Sequence, residues 1–546
     1  MNIQRNILSL LISISLTACG VSNFPVPTLS SQGIDSCTLD VLSDTGFDAK
    51  GTLKIPLLSK VQSIKRTGKK LFAIGQLSSD PQCIAVVGLD TVTGKPLKGF
   101  GNKGLATLRV ADSTGAQAIP KDLDLFGETV FVVGSVDSPT EAQKGFLVSF
   151  DSRGNVLPLT ARDDRFFLDG SFGTYESTDL TTYATSINSL EFLSTDGNSL
   201  ALVGRVRRDT LFGKPNDDIF MAVLDLSKVE PAFAKAPGRE TYRRYVEGLD
   251  IIPLGRRGPI QHNVITDESS ATGNLSDDTA LAATSDSSGN LLFTGVSKLD
   301  GKHMASTSYL DLHATQKIEN YSKEKEYCNK PSWGLHLKSC ETTIYGRWNS
   351  SFAADSLKVL PSWTVSNAQV YMDSPWAEST GVLDEGYILV SGSHKITNGY
   401  PWHKAFYLMA YTHPVGIIPS QLEASFGEKK GITSTTFSVD GTVVDAFGQA
   451  LLEQRDKDTF LGYIIVGYIS DGFNSEMALA RYTTDGMTDK TFGSAGHLTT
   501  SLGQTKAYSG VVGQNGEIFA AGEFKEVTGM TVGIVQRFDK DGLMSP

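Results

Sequence analysis

All five tryptophans of this chain, Trp333, Trp348, Trp363, Trp376 and Trp402, fall inside residues 333–402. Cys328, Cys340, His336, His394, Tyr400, His403 and His413 lie within or beside that stretch. Large rings with one polar tip dominate binding hot spots. The grouping predicts an aromatic recognition face of the five tryptophans with Tyr400 and His403, suited to a glycan or a protein partner. The competing expectation is a local core inside an insertion, with every indole buried.

Catalytic chemistry leaves no comparable signature. The chain has no G-x-S-x-G elbow, no phosphate-binding Walker loop, no H-E-x-x-H pair and no dinucleotide fingerprint. Its eight histidines are a sparse supply. Asp539–Gly542 has the Asp-x-Asp-Gly start of a calcium loop but lacks the remaining ligands and the closing Glu, so it reads as a hairpin turn. No cofactor and no metal are expected. A net charge of −11 and a pI near 5.3 disfavour a nucleic-acid partner, because phosphate binding needs a basic face. The small basic run Lys65–Lys70 reads as an exposed hairpin and not as a site.

Five cysteines have two different uses. After Arg5 and the apolar stretch Ile7–Leu16, the sequence Leu16-Thr17-Ala18-Cys19 closes the segment with small residues and a cysteine. That pattern resembles the bacterial lipobox, which implies cleavage before Cys19, acylation of its thiol and a membrane anchor. Gly20 follows where an inner-membrane retention signal would carry Asp, so the outer membrane is expected, with the face left open. Residues 1–18 are then a signal peptide, 19–36 a Ser/Pro/Gly-rich tether and 37–546 the folded part. The other four cysteines are an even number in an oxidising compartment. Cys328 with Cys340, and Cys37 with Cys83, are the expected pairs. Zinc is disfavoured, since no paired His or Cys accompanies the spacing of 328 and 340.

A short apolar run ending in glycine recurs seven times. The copies are Leu71–Gly75, Val130–Gly134, Leu200–Gly204, Leu291–Gly295, Ile388–Gly392, Tyr463–Gly467 and Ile518–Gly522. Their spacing averages about 75 residues, longer than the roughly 40–50 of common propeller repeats, so long loops are expected, above all in 205–400. A second element follows several copies: a turn glycine, then Phe-Gly, then a further glycine. It runs Gly486, Phe492, Gly496 in one copy and Gly94, Phe100, Gly104 in another. Phe172-Gly173 and Phe426-Gly427 repeat its centre. The phenylalanine reads as a plug between units and the glycines as positive-φ bends.

The two termini divide one repeat between them. Arg537–Pro546 aligns with Arg481 onward and stops where Asp489 would fall. Asp44–Leu53 aligns with Asp489–Leu498, matching Phe47 to Phe492 and Gly51 to Gly496. A linear solenoid caps its ends, whereas a ring shares a unit between first and last strands. The expectation is an all-β, seven-bladed β-propeller closed by overlapping N- and C-terminal strands.

The pattern R-Y-x-x-D-G-x-x-D-x-x-F-G-x-x-G at Arg481–Gly496 resembles the bacterial delta-60 repeat family. The resemblance implies a secreted or surface bacterial protein built as a propeller-like array. It carries no catalytic residues of its own. Three functions remain open at this point: a binding or scaffold propeller for a glycan or protein, a propeller hydrolase or lyase with a dispersed central-channel site, and a purely structural envelope protein. Acidic or histidine side chains converging on the channel would mark the enzyme, and an aromatic loop face would mark the binder.

Overall fold

A computed structural model describes residues 37, 42, 45–111, 113–140, 142–157, 166–168, 185–193, 199–209, 215–225, 250–251, 260–262, 277–285, 291–299, 302–320, 340–348, 370–371, 387–396, 403–412, 423–428 and 431–546. Among them every regular element is a β-strand. This agrees with a sequence in which turn dipeptides separate short apolar runs and helical periodicity is weak.

The strands form seven antiparallel sheets of four or five strands. Six of them are consecutive in the chain, and each opens on what we call its lead strand. The lead strands are Ser63–Thr67, Gln117–Phe126, Thr185–Phe192, Asp277–Ser285, Val370–Tyr371 and Thr442–Asp456. In the sixth sheet the short strand Phe437–Val439 precedes the lead strand and pairs with it. The seventh sheet opens on Thr505–Val512 and continues through Ile518–Lys525 and Thr531–Phe538. Its last strand is Thr52–Ile55, from the other end of the chain. Each lead strand touches the next in sequence order, and the lead strands of the seventh and first sheets touch as well.

Each pentad lies on the strand that follows its lead strand. Five lead strands are bulged opposite the pentad glycine, at Lys121, Asn188, Leu281, Gln449 and Tyr508. A Cβ on Gly134, Gly204, Gly295, Gly467 or Gly522 would overlap the carbonyl oxygen two residues before the bulge. Gly75 faces the Lys60 carbonyl in the same way. The repeated glycine is therefore a backbone-approach residue that lets the lead strand kink.

The four apolar residues of the pentad serve the core on both faces of the sheet. In the first sheet Leu71 and Ala73 pack with Phe519, Ala521 and Val535 of the seventh. Phe72 and Ile74 pack with Val130, Val132 and Phe146 of the second. A strand covered on both sides reads as a continuous apolar run, which is why the pentads do not alternate.

The Phe-Gly element docks one repeat on the next. Phe492 is fully buried against Gly542, and Phe426 against Gly486. Both glycines have positive φ and no room for a side chain. The following glycine donates its N–H to the neighbouring turn: Gly427 to Asp485 O at 2.7 Å, Gly493 to Asp541 O at 3.1 Å, and Gly101 to Arg153 O at 2.6 Å. Asp539 accepts from the Asp541 and Leu543 N–H groups, so that segment is a hairpin turn, as its sequence predicts.

Cys37 and Cys83 form a disulfide that ties the chain ahead of Thr52–Ile55 to the first sheet.

Candidate functional site

The bulges put polar side chains of successive lead strands at one level. Just after three of the five bulges stand Asp122, Ser189 and Ser509, and Ser63 shares that level in the first sheet. Asp122 accepts from Ser63 Oγ at 2.9 Å and from Ser189 Oγ at 2.8 Å. The Ile64 N–H donates to Ser509 Oγ at 3.2 Å. A single carboxylate thus joins the first, second and third sheets. Burial raises its pKa, and both serines work against that rise by holding the charged form.

Two residues further along stand Lys65, Asp124 and Glu191. Lys65 Nζ lies 3.7 Å from Asp124 Oδ1. Asp124 holds the Lys65 ammonium above its ordinary range, against the cost of enclosure. The lysine side chain is still 39% accessible. Glu191 Oε1 accepts from the Ser285 N–H at 3.2 Å and Ser285 Oγ at 3.0 Å, bringing in the fourth sheet. Burial, then the Asp124 charge, pushes Glu191 up to about 7. Near neutral pH this cluster offers one ammonium donor, carboxylate oxygens as acceptors and, at Glu191, a carboxyl that still carries a proton for part of the time. Among the described residues no group of three His, Cys, Asp or Glu is placed to hold a metal ion.

Lys65 corrects one expectation. The run Lys65–Lys70 was expected to be exposed hairpin throughout. Only Gly68 and Lys69 are turn, Lys70 opens the next strand, and Lys65 sits on the lead strand beside Asp124. Asp122, Asp124 and Glu191 carried no motif in the sequence. The usable signal was alternation: Asp122-Leu123-Asp124-Leu125 alternates charged and apolar residues within one strand.

His403 is half-buried at the start of the strand His403–Thr412, with Nδ1 3.7 Å from Asp445 Oδ1. His394 is buried, with Nε2 2.9 Å from Ser434 Oγ. Trp333, Trp363, Trp376, Trp402, Tyr400, His336, His413, Cys19 and Cys328 lie outside the described residues. Cys340 and Trp348 are described only as the ends of the strand Cys340–Trp348. Neither the aromatic face nor the Cys328–Cys340 pair is placed.

No protein-family model matches the chain, and no curated protein matches it. Three solved structures are similar at low identity. One is a PL25 ulvan lyase bound to -[GlcA(1-4)Rha3S]-, 8% identical at a TM-score of 0.38, covering 91% of this chain and 96% of that one. Another is an endo-arabinase from Bacteroides thetaiotaomicron, 12% identical at 0.27, covering 67% and 96%. The third is a GH43_12 protein retrieved from a capybara gut metagenome, 10% identical at 0.26, covering 90% and 92%. Likenesses this distant decide neither the family nor the activity of this chain.

Proposed function

We propose that this is a lipid-anchored envelope protein of the bacterial outer membrane, built as a closed seven-bladed β-propeller, that binds a carbohydrate chain in its axial channel. Closure is supported by the unbroken cycle of lead-strand contacts and by the pairing of Thr52–Ile55 with Thr531–Phe538. The anchor rests on the Leu16–Cys19 motif. The observation that carries the ligand class is the solvent-reached set of Lys65, Asp124 and Glu191, contributed by three successive lead strands. Saccharide hydroxyls both donate and accept, and this set supplies partners for both roles.

The test is a glycan and peptidoglycan screen of the full chain in non-ionic detergent, followed by titration of the hits with Lys65→Gln and Glu191→Gln variants. Binding that weakens at least tenfold in either variant, without a fall in melting temperature, supports the assignment. A hit that both variants bind as well as the parent places the carbohydrate elsewhere. The absence of any hit overturns the function.

Glu191 also favours hydrolysis as a second function. A carboxyl that keeps a proton near pH 7 is what general acid catalysis needs. New reducing ends released from a bound glycan, and lost in Glu191→Gln, would establish it. A glycan that stays intact over long incubation would leave a binding protein.

A further inference from the structure

At the opposite end of the lead strands from Glu191, cations and aromatic rings gather on one belt. Lys404 Nζ stands 4.4 Å from the Phe447 ring centroid. Phe447 stacks on Tyr468 at 4.7 Å, and Tyr468 meets Tyr508 edge-on at 6.4 Å. Lys506 Nζ lies 5.7 Å from the Tyr468 centroid, and Lys60 Nζ 5.4 Å from that of Tyr508. Lys121, the bulged residue of the second sheet, and Arg205 of the third are close enough to be felt in the same field.

The acidic partners do not balance this group. Lys506 has Glu523 at 2.9 Å, and Asp137 is the carboxylate felt by Lys121. Among the described residues neither Lys60 nor Lys121 forms an ion pair. Both are half-buried. Burial lowers the pKa of each; for Lys60 the Glu523 carboxylate opposes this and Lys506 adds to it, and for Lys121 the Lys60 charge adds to it against Asp137. The whole chain carries −11, so a local gathering of lysines around Tyr468 and Tyr508 runs against its general composition. Crowded, half-desolvated ammonium groups repel one another until an anion comes between them, and walls of low dielectric strengthen that attraction.

We propose that this belt binds the anionic substituents of an acidic polysaccharide, with carboxylate or sulfate groups on Lys60 and Lys121 and sugar rings against Phe447, Tyr468 and Tyr508. The inference rests on the carbohydrate function above and narrows its substrate class. Aromatic faces receive the C–H faces of sugars, while the lysines select for charge. A neutral glycan would leave the cations uncompensated and would bind more weakly.

The experiment labels lysines of the full chain in non-ionic detergent with an acetylating reagent and reads Lys60 and Lys121 by mass spectrometry. Labelling is repeated with dextran sulfate, dextran, polygalacturonate and carboxyl-reduced polygalacturonate. The expected result is protection of both lysines, fivefold or more, by at least one polyanion and by neither neutral polymer. Protection by dextran sulfate alone assigns sulfate, and by polygalacturonate alone assigns carboxylate. A Lys60→Gln/Lys121→Gln variant should bind the protecting polyanion at least tenfold more weakly and melt within a few degrees of the parent. Equal protection by charged and neutral polymers would overturn the anion site and leave carbohydrate binding standing. No protection by either polyanion, with a neutral hit in the glycan screen, would do the same. No protection and no hit would remove both.

Discussion

The Arg537 N–H donates to the Gly51 carbonyl across 2.8 Å, joining the last strand of the chain to the start of its first. The same bond occurs inside an unbroken repeat, from Arg481 N–H to Gly496 O at 3.0 Å. Ser545 N–H bonds back to Arg537 O as Asp489 N–H does to Arg481 O. Thr52 Oγ1 donates to Gln536 Oε1 at 2.7 Å, and Gln536 Nε2 donates to Lys50 O at 2.7 Å. The N-terminal segment therefore replaces the missing half of the last repeat, bond for bond.

Deleting either half should have the same consequence. Removal of Arg537–Pro546 takes away the Arg537 bond to Gly51 O and the turn that folds back on it, and removal of Asp44–Leu53 uncovers Val535 and Gln536 on the strand Thr531–Phe538. Both truncations should broaden the denaturation transition and lower its midpoint, because sheets packed in series lose a neighbour-to-neighbour interface at the break. Denaturation followed by tyrosine fluorescence and by far-UV dichroism checks this. A transition as sharp and as high as that of the parent would show that the paired ends contribute nothing to cooperativity.

The pentad glycine makes a sharper prediction. In Gly522→Ala the new methyl would overlap the Lys506 carbonyl, and the strand Thr505–Val512 must move away. The expected cost is about 1–3 kcal/mol, as for an overpacked core. Gly99→Ala is the control: its Cβ would meet nothing within 4 Å. It should change stability by less than about 0.5 kcal/mol. Urea titrations of the two variants separate the outcomes, and equal stabilities would mean that the bulge does not need the glycine.

These glycines and the paired termini were legible in the sequence because both repeat. A spacing that recurs seven times, and a terminal fragment that completes another, carry information that no single strand does. The polar cluster was not legible for the opposite reason. Lys65, Asp122, Asp124 and Glu191 come from three different repeats and come together only because the lead strands share a level. The bulge also shifts which residue faces which neighbour. Strict alternation read across Pro120–Phe126 therefore assigns some side chains to the wrong side. Lys65 was misread because a basic run beside a turn looks the same whether its first residue is solvated or enclosed.

The Cys37–Cys83 bridge closes a loop with a sequence separation of 46. In the chain-entropy model a loop of that length stabilises by about 4 kcal/mol. The double variant Cys37→Ser/Cys83→Ser should lose roughly that amount, and the loss should be concentrated in the first and seventh sheets, which the bridged segment connects. Hydrogen exchange on Thr52–Ile55 and on Cys83–Asp90 would report it. Unchanged protection in both strands would show that the strand pairing holds without the covalent link.

Glu191 sets a pH dependence whose sign follows from its environment. Its pKa rises to about 7 in the folded protein, chiefly through burial, while an unfolded glutamate titrates near 4.3. Between those two values the folded state keeps a proton that the unfolded state has lost. Stability at this site is therefore fully present below about pH 4, falls by up to ~1.4 kcal/mol per pH unit on the way to pH 7, and levels off above it. Glu191→Gln keeps the hydrogen-bond acceptor for Ser285 and removes the ionisation. The variant should match the parent near pH 4.5 and exceed it above pH 7, with a flatter profile between. Urea midpoints measured from pH 4.5 to 8 test the sign directly. Parallel profiles for parent and variant would mean that Glu191 is ionised in the folded protein throughout, which would also remove the proton that the hydrolytic function requires.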